Sequence, residues 1–231
     1  MRPRWNVILS VLAAFVALGP LTLGASGPDA ADHSIEQFLA RGDAQPAYRA
    51  TRRLDAASGT RTGWLEAITE YAPDTGFHYE VTAEGGSGYI RARVLRALLE
   101  GEGEAIARGE TGRSSLDHAN YTFQADGIDE DGLANVLLSP RRRERILVAG
   151  RMFLQPEDGR LVRLQGRLAK SPSFWIKNAE ITRSYANITG IVVPVALESR
   201  AQIRFLGLAT LQMRYIYTHV DGHAVDPLPG T

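Results

Sequence analysis

The sequence predicts an α+β protein, a large curved antiparallel sheet of about ten strands with helices packed in its concave side. Three observations lead there. From Leu161 to His219 one strand-like segment follows another, each apolar on alternate residues, so the sheet has one wet and one greasy face. Only two stretches carry helical spacing, too few to sandwich so wide a sheet but enough to fill its hollow side. Cysteine is absent from all 231 residues, which removes disulfides, thiol nucleophiles, thiolate metal sites and a lipid-modified N-terminal cysteine. Burial must hold the fold together, and roughly 200 residues bury about 70% of their extended-chain surface, enough for one domain.

Residues 1–25 have the form of a secretory signal. Arg2 and Arg4 give a basic start, Val7 to Leu18 are apolar, and Gly19-Pro20 break the run before Leu23-Gly24-Ala25, after which cleavage is expected. An uncleaved N-terminal anchor is the alternative, since a stretch ending near Leu23 approaches the lower length limit of a membrane span. Residues 26–33 read as a flexible lead-in, 34–225 as a single domain and 226–231 as a tail. No later segment is long and apolar enough to span a bilayer, so membrane contact is expected to be peripheral at most. The expected location is the periplasm of a Gram-negative-type envelope.

Ser34 reads as the cap of a short helix over Ile35 to Ala40, with Gln37 as its capping-box partner and Gly42 as the stop. From Tyr48 the period becomes two. Tyr48, Ala50, Arg52 and Leu54 precede a Ser58-Gly59 turn, followed by strands at Trp64 to Tyr71 and Phe77 to Val81. Phe77, Tyr79 and Val81 point inward, with His78 and Glu80 outward. Gly85-Gly86-Ser87-Gly88 then bridges to the best helix, in which Ile90, Val94, Leu95, Leu98 and Leu99 face away from Arg91, Arg93 and Arg96. Gly101 and Gly103 predict a bend or an end there. Strands follow at Tyr121 to Ala125, Leu133 to Leu138, Arg145 to Leu154, Leu161 to Leu168, Phe174 to Tyr185, Ile188 to Leu197, Ala201 to Leu206 and Leu211 to His219. Pro156-Glu157-Asp158-Gly159 is a turn. In the last strand Leu211, Met213, Tyr215 and Tyr217 share a face.

Function classes are narrowed mainly by exclusion. The precursor has 26 basic and 26 acidic residues, and losing Arg2 and Arg4 leaves a slight acidic surplus, which argues against nucleic acid as a partner. The acidic loop from Asp126 to Gly132 fails the EF-hand pattern and reads as an exposed turn. His33, His78, His118, His219 and His223 do not stand at metal-ligand spacing, so neither a metal nor a cofactor is expected. No nucleophile elbow, phosphate loop or dinucleotide fingerprint occurs, and no catalytic residue is assigned. The sequons at Asn120 and Asn187 read as chance. Arg141-Arg142-Arg143 with Arg145 is the densest basic patch, either a solvated turn or a contact for anionic headgroups. Ile90, Val94, Leu95, Leu98, Phe174, Trp175, Ile181, Tyr185, Phe205, Met213, Tyr215 and Tyr217 are either core or the lining of an apolar cavity for an acyl chain.

The order of elements resembles the periplasmic lipoprotein-carrier superfamily, the LolA/LolB-like lipoprotein-sorting proteins. The most suggestive residues are Asp158 to Leu168, Phe174-Trp175, Val193-Pro194-Val195 as a prolyl turn, and Tyr215-Ile216-Tyr217 in a closing strand. The resemblance spans about residues 34 to 225 and is architectural, with no family functional residue assignable. It implies an incomplete β-barrel, open at one side, with an apolar cavity between sheet and helices. It further implies a non-enzymatic protein that takes up a lipid or lipoprotein acyl chain and carries or presents it, and a monomer is expected. The alternatives are an envelope-sensing protein that binds another polypeptide along an exposed strand edge, and a hydrolase of envelope components.

Overall fold

A computed structural model describes residues 28–42, 45–171, 176–204 and 207–226. The export signal expected over residues 1–25, together with Phe174, Trp175 and Phe205, lies outside the described residues. Strands β1 (Tyr48–Ser58), β2 (Arg61–Ala72) and β3 (Gly76–Gly86) form the first meander. The second run comprises β4 (Tyr121–Ile128), β5 (Ala134–Pro140), β6 (Val148–Leu154), β7 (Leu161–Leu168), β8 (Ile176–Ile188), β9 (Ile191–Ile203), β10 (Gly207–Val220) and the two-residue β11 (His223–Ala224). All join in one antiparallel sheet in the order β3-β2-β1-β10-β9-β8-β7-β6-β5-β4, with β11 paired to the end of β10. The sheet is curved and unclosed, and β3 and β4 are its edges. The α+β architecture read from the alternation is the one observed.

The inward rows explain why it holds. On β1 the buried residues are Ala50, Arg52, Leu54 and Ala56, and opposite them on β2 stand Leu65 and Ala67. Phe77, Tyr79 and Val81 of β3 pack on this cluster, as their alternation predicts. The outer face of β2 is covered as well, because the Arg53 guanidinium lies 4.0 Å over the Trp64 ring and pairs with Asp55 and Glu66.

Two helical segments cover the two ends of the concave face and divide its core. Helix α1 (Pro28–Ala40) seats Ala31 and Ile35 on β4 to β7 residues such as Val136, Leu154 and Leu164. A second segment, α2 (Gly88–Ile90), a π-helical stretch (Arg91–Arg96) and α3 (Ala97–Ala107), packs Ile90, Leu95 and Leu99 against Leu54, Leu65 and Met213. The π-helical stretch has a visible cause. Arg91 and Arg96 both bond the Glu84 carboxylate, at 2.6 and 2.7 Å, and residues five apart align in an i→i+5 helix but diverge in an α-helix.

Several expectations are corrected. Helix α1 begins at Pro28, not Ser34, so most of the expected flexible lead-in is helical. Ser34 lies inside it, fully buried, and its hydroxyl donates to the Ala30 carbonyl at 2.8 Å instead of capping. Helix α3 runs past Gly101 and Gly103 to Ala107. Gly103 sits where a Cβ would come within 3.2 Å of the Phe77 ring, so its bare backbone lets the helix approach the sheet. The segments expected at Ile188 to Leu197 and Ala201 to Leu206 are one strand, β9, because the polar Glu198-Ser199-Arg200 continues the alternation. Pro194 is inside β9, not in a turn, beside a register shift at Ser184/Tyr185 where its missing N–H costs no ladder bond. The strand expected from Arg145 starts at Val148.

The turn after β6 fastens α1 to the sheet. Arg41 donates to the Asp158 carbonyl at 2.7 Å and Gln37 to that of Glu157 at 3.3 Å. Gly159 has φ +66°, and a Cβ there would lie 2.6 Å from the Phe38 nitrogen and the Ser34 oxygen. A Gly159→Ala exchange therefore strains the backbone and pushes α1 away. It is expected to destabilise by about 2 kcal/mol, lowering Tm by about 4–8 °C, with proteolysis mapping the first cut to α1.

Candidate functional site

On the middle strands lies a third, smaller cluster of Ala50, Ile188, Val193, Tyr217 and Val220, and beside it a cavity of about 860 Å³ opens. Its floor comes from the middle strands: Tyr48 and Arg52 of β1, Tyr71 of β2, Arg183 and Tyr185 of β8, Val193 and Pro194 of β9, and Tyr215 and Tyr217 of β10. Glu102, Ala105 and Ile106 of α3 form one wall. The segment from Glu110 to Leu116 forms another, and Arg143, Arg145, Ile146 and Lys170 stand around the mouth.

Arg52 anchors the floor. It sits in the inward row of β1 between Ala50 and Leu54 and is only 2% exposed. Its guanidinium makes a forked pair with Glu102, at 2.6 and 2.9 Å, and donates to the Tyr48 hydroxyl. It also lies 4.6 Å from the Tyr215 ring centroid and 5.3 Å from that of Phe77. Burial opposes its charge, yet the Glu102 hydrogen bond together with the charge interactions of Tyr215, Glu102 and Tyr48 outweighs that and keeps it protonated above the ordinary guanidinium value. Tyr48, Tyr71, Tyr215 and Tyr217 form a continuous aromatic surface beside it. Tyr215 and Tyr217 stack at 6.1 Å, and Tyr48 meets Tyr217 edge-on at 5.8 Å. Burial pushes the hydroxyls of Tyr48 and Tyr217 well above the usual phenol value, and Tyr217 donates to the Pro194 carbonyl at 2.7 Å.

The segment that walls the mouth is knitted by one residue. Asn120, 2% exposed, donates to the carbonyls of Gly112 and Ser115 and accepts from Arg142 at 2.6 Å. Its amide is fully used, which is incompatible with a glycan at that sequon. Arg142 also binds Glu144, whose carboxyl it holds below the usual carboxylate range, and the Arg113 carbonyl. Arg141 donates to the Tyr121 carbonyl. The basic patch thus splits: Arg141 and Arg142 brace the loops, while Arg143 and Arg145 are exposed at the mouth.

Of the predicted lining residues, Tyr185, Tyr215 and Tyr217 are at the cavity. Ile90, Leu95 and Met213 are instead buried in the solid cluster beneath the second helical segment, and Val94 packs against it. Leu98 is 36% exposed, and Ile181 is half-buried on β8, away from the cavity. Sequence reasoning missed Arg52, Glu102 and Arg183. The signal for the two arginines was their position in phase with inward rows, Ala50-Arg52-Leu54 and Ile181-Arg183-Tyr185. Nothing marked Glu102 among exposed carboxylates.

Chemically this is a hollow with an aromatic floor and fixed positive charge. Its carboxylates Glu102, Glu110 and Glu144 are each engaged by arginine, and no histidine lines it among the described residues. The acidic loop is an exposed turn in which Asp129 accepts from the N–H groups of Asp131 and Leu133. No three metal-binding side chains converge, and no helix is long and apolar enough to cross a membrane, among the described residues.

No family model and no curated protein matches the chain. Among solved structures it is similar to a LolA superfamily protein from Nitrosomonas europaea, at 10% identity, covering 86% of this chain and 94% of that one with a TM-score of 0.43. It is also similar to a DUF1329 family protein from Desulfovibrio piger, at 8% identity, covering 81% and 90%, with a TM-score of 0.39. The chemistry of the site rests on its own side chains.

Removing Glu102 strands the Arg52 charge in the core. Glu102→Ala is expected to cost about 3 kcal/mol, at the low end for a broken buried pair because Glu102 retains some solvent contact. The double variant R52M/E102L recovers most of that loss, a non-additivity that urea denaturation of the four-member cycle measures.

Proposed function

We propose that the protein is an exported, non-enzymatic binding protein that takes the apolar chain of a lipid or lipoprotein into the cavity and carries or presents it within a Gram-negative-type periplasm. The single observation behind this reading is the open cavity over the middle strands, beside the packed clusters. About 860 Å³ falls within the roughly 300–1,000 Å³ of small-molecule sites, and the sheet beneath it is concave and aromatic. Val192, Val193, Pro194, Ile106, Leu116 and Ile146 supply apolar wall, each methylene buried against them contributing roughly 0.8 kcal/mol. Arginine side chains and tyrosine hydroxyls share the lining with these apolar groups.

The expected finding is an amphiphilic molecule in native mass spectra and lipid extracts of the protein purified from the periplasm. A protein that is consistently bare under conditions that preserve a lipid complex defeats the reading. Ala105→Trp, which projects an indole from α3 into the hollow, should weaken uptake of a long-chain probe about ten-fold or more, with circular dichroism unchanged.

A further inference from the structure

Arg183 is the least explained group in the cavity. It lies on β8 between the inward Ile181 and Tyr185, and its neighbours across the strands are Leu164 on β7 and Leu197 on β9. Neither neighbour supplies a counter-charge. Among the described residues no carboxylate comes within ion-pair distance of it, and its Nε is buried without a hydrogen-bond partner. The guanidinium rests 5.7 Å from the Tyr185 ring centroid. Burial works against its charge, whereas Tyr185, Tyr215 and the more distant Glu102 favour it, Tyr215 also by a side-chain hydrogen bond, and it remains protonated.

Arg52 shows by contrast how this fold treats a cation that serves structure alone, since a forked carboxylate and a tyrosine hydroxyl satisfy it. Arg183 has the Tyr215 hydroxyl but no carboxylate among the described residues, so its charge is desolvated without a counter-charge to offset the cost. The excess extends to the mouth: Arg143, Arg145 and Lys170 line it with no ion pair among the described residues, while Glu110 and Glu144 are occupied by other arginines. Cations along the mouth and one at the floor make a positive path into a low-dielectric hollow, the arrangement that attracts and retains an anion.

The geometry points to an anion subsite at Arg183, so that the favoured guest is an anionic amphiphile, an apolar chain bearing a phosphate ester or carboxylate that pairs with this guanidinium. The inference rests on the cavity being a ligand site and adds the chemical class of the guest. A planar fork suits either anion, and a charge-assisted pair of this kind corresponds to about ten-fold or more in affinity.

Calorimetry on the purified protein with decyl phosphate, decanol and inorganic phosphate tests it. Decyl phosphate is expected to bind at least about ten-fold tighter than decanol, and inorganic phosphate far more weakly than either. R183M should bring decyl phosphate down to the level of decanol and leave decanol unchanged, and R183K should keep most of the preference. Equal binding of the two decyl probes, or a preference that survives in R183M, overturns the subsite and leaves the cavity reading standing. Inorganic phosphate as potent as decyl phosphate overturns the amphiphile, and no binding by any probe overturns both readings. A second measurement needs no variant. Phosphorus NMR of bound decyl phosphate should give a second ionisation below the roughly pH 6 of the free ester, and an unchanged or raised value counts against the pairing.

Discussion

The tie between Arg52 and Glu102 joins the middle of the sheet to the helix that stands over it, and much of the molecule's arrangement depends on that tie. Arg52 occupies a position where its row otherwise carries alanine and leucine. Its charge is tolerated because α3 brings a carboxylate down to it, and α3 reaches that depth because Gly103 lets it lie against Phe77. Packing, backbone approach and ion pairing therefore support one another. The pair holds the helix at a height that leaves space beside it instead of closing fully on the sheet.

On either side of that space the fold is conventional hydrophobic packing. Helix α1 closes one end over β4 to β7, and the second helical segment closes the other over β1 to β3 and β10. The central strands between them receive tyrosines and arginines, side chains with broad apolar bodies and polar ends. Such residues tolerate either water or a guest above them, which fits their place at an opening between two dry clusters.

Much of this was legible in the alternation of the chain. The inward sides of β3 and β10 and the docking face of α1 follow directly from residue spacing. Other features obey rules that compete with the pattern. The Ser34-to-Gln37 spacing imitates a capping box, but the helix had already begun in the small, polar stretch from Pro28, and the serine hydroxyl bonds backward. Gly101 and Gly103 resemble helix breakers, whereas tertiary contact with Phe77 supplies a reason for at least one of them. At the candidate site the tyrosines of β10 line the cavity, whereas Ile90 and Leu95 pack too closely on the sheet to leave room and Leu98 is partly exposed. Arg52 and Arg183 escaped notice because charge is ordinarily taken as a mark of the wet face. Here phase, not polarity, was the better guide.

The separation of the two cores has a consequence for how this protein can change over generations. Lining positions outside every packed cluster, such as Ala105, Arg143, Arg145 and Lys170, can be exchanged without opening a core, whereas Tyr48, Val193, Tyr215 and Tyr217 are themselves part of the packing. Selection can thus retune what is held there while the scaffold persists, and divergent descendants would share a silhouette long after their interiors had ceased to agree.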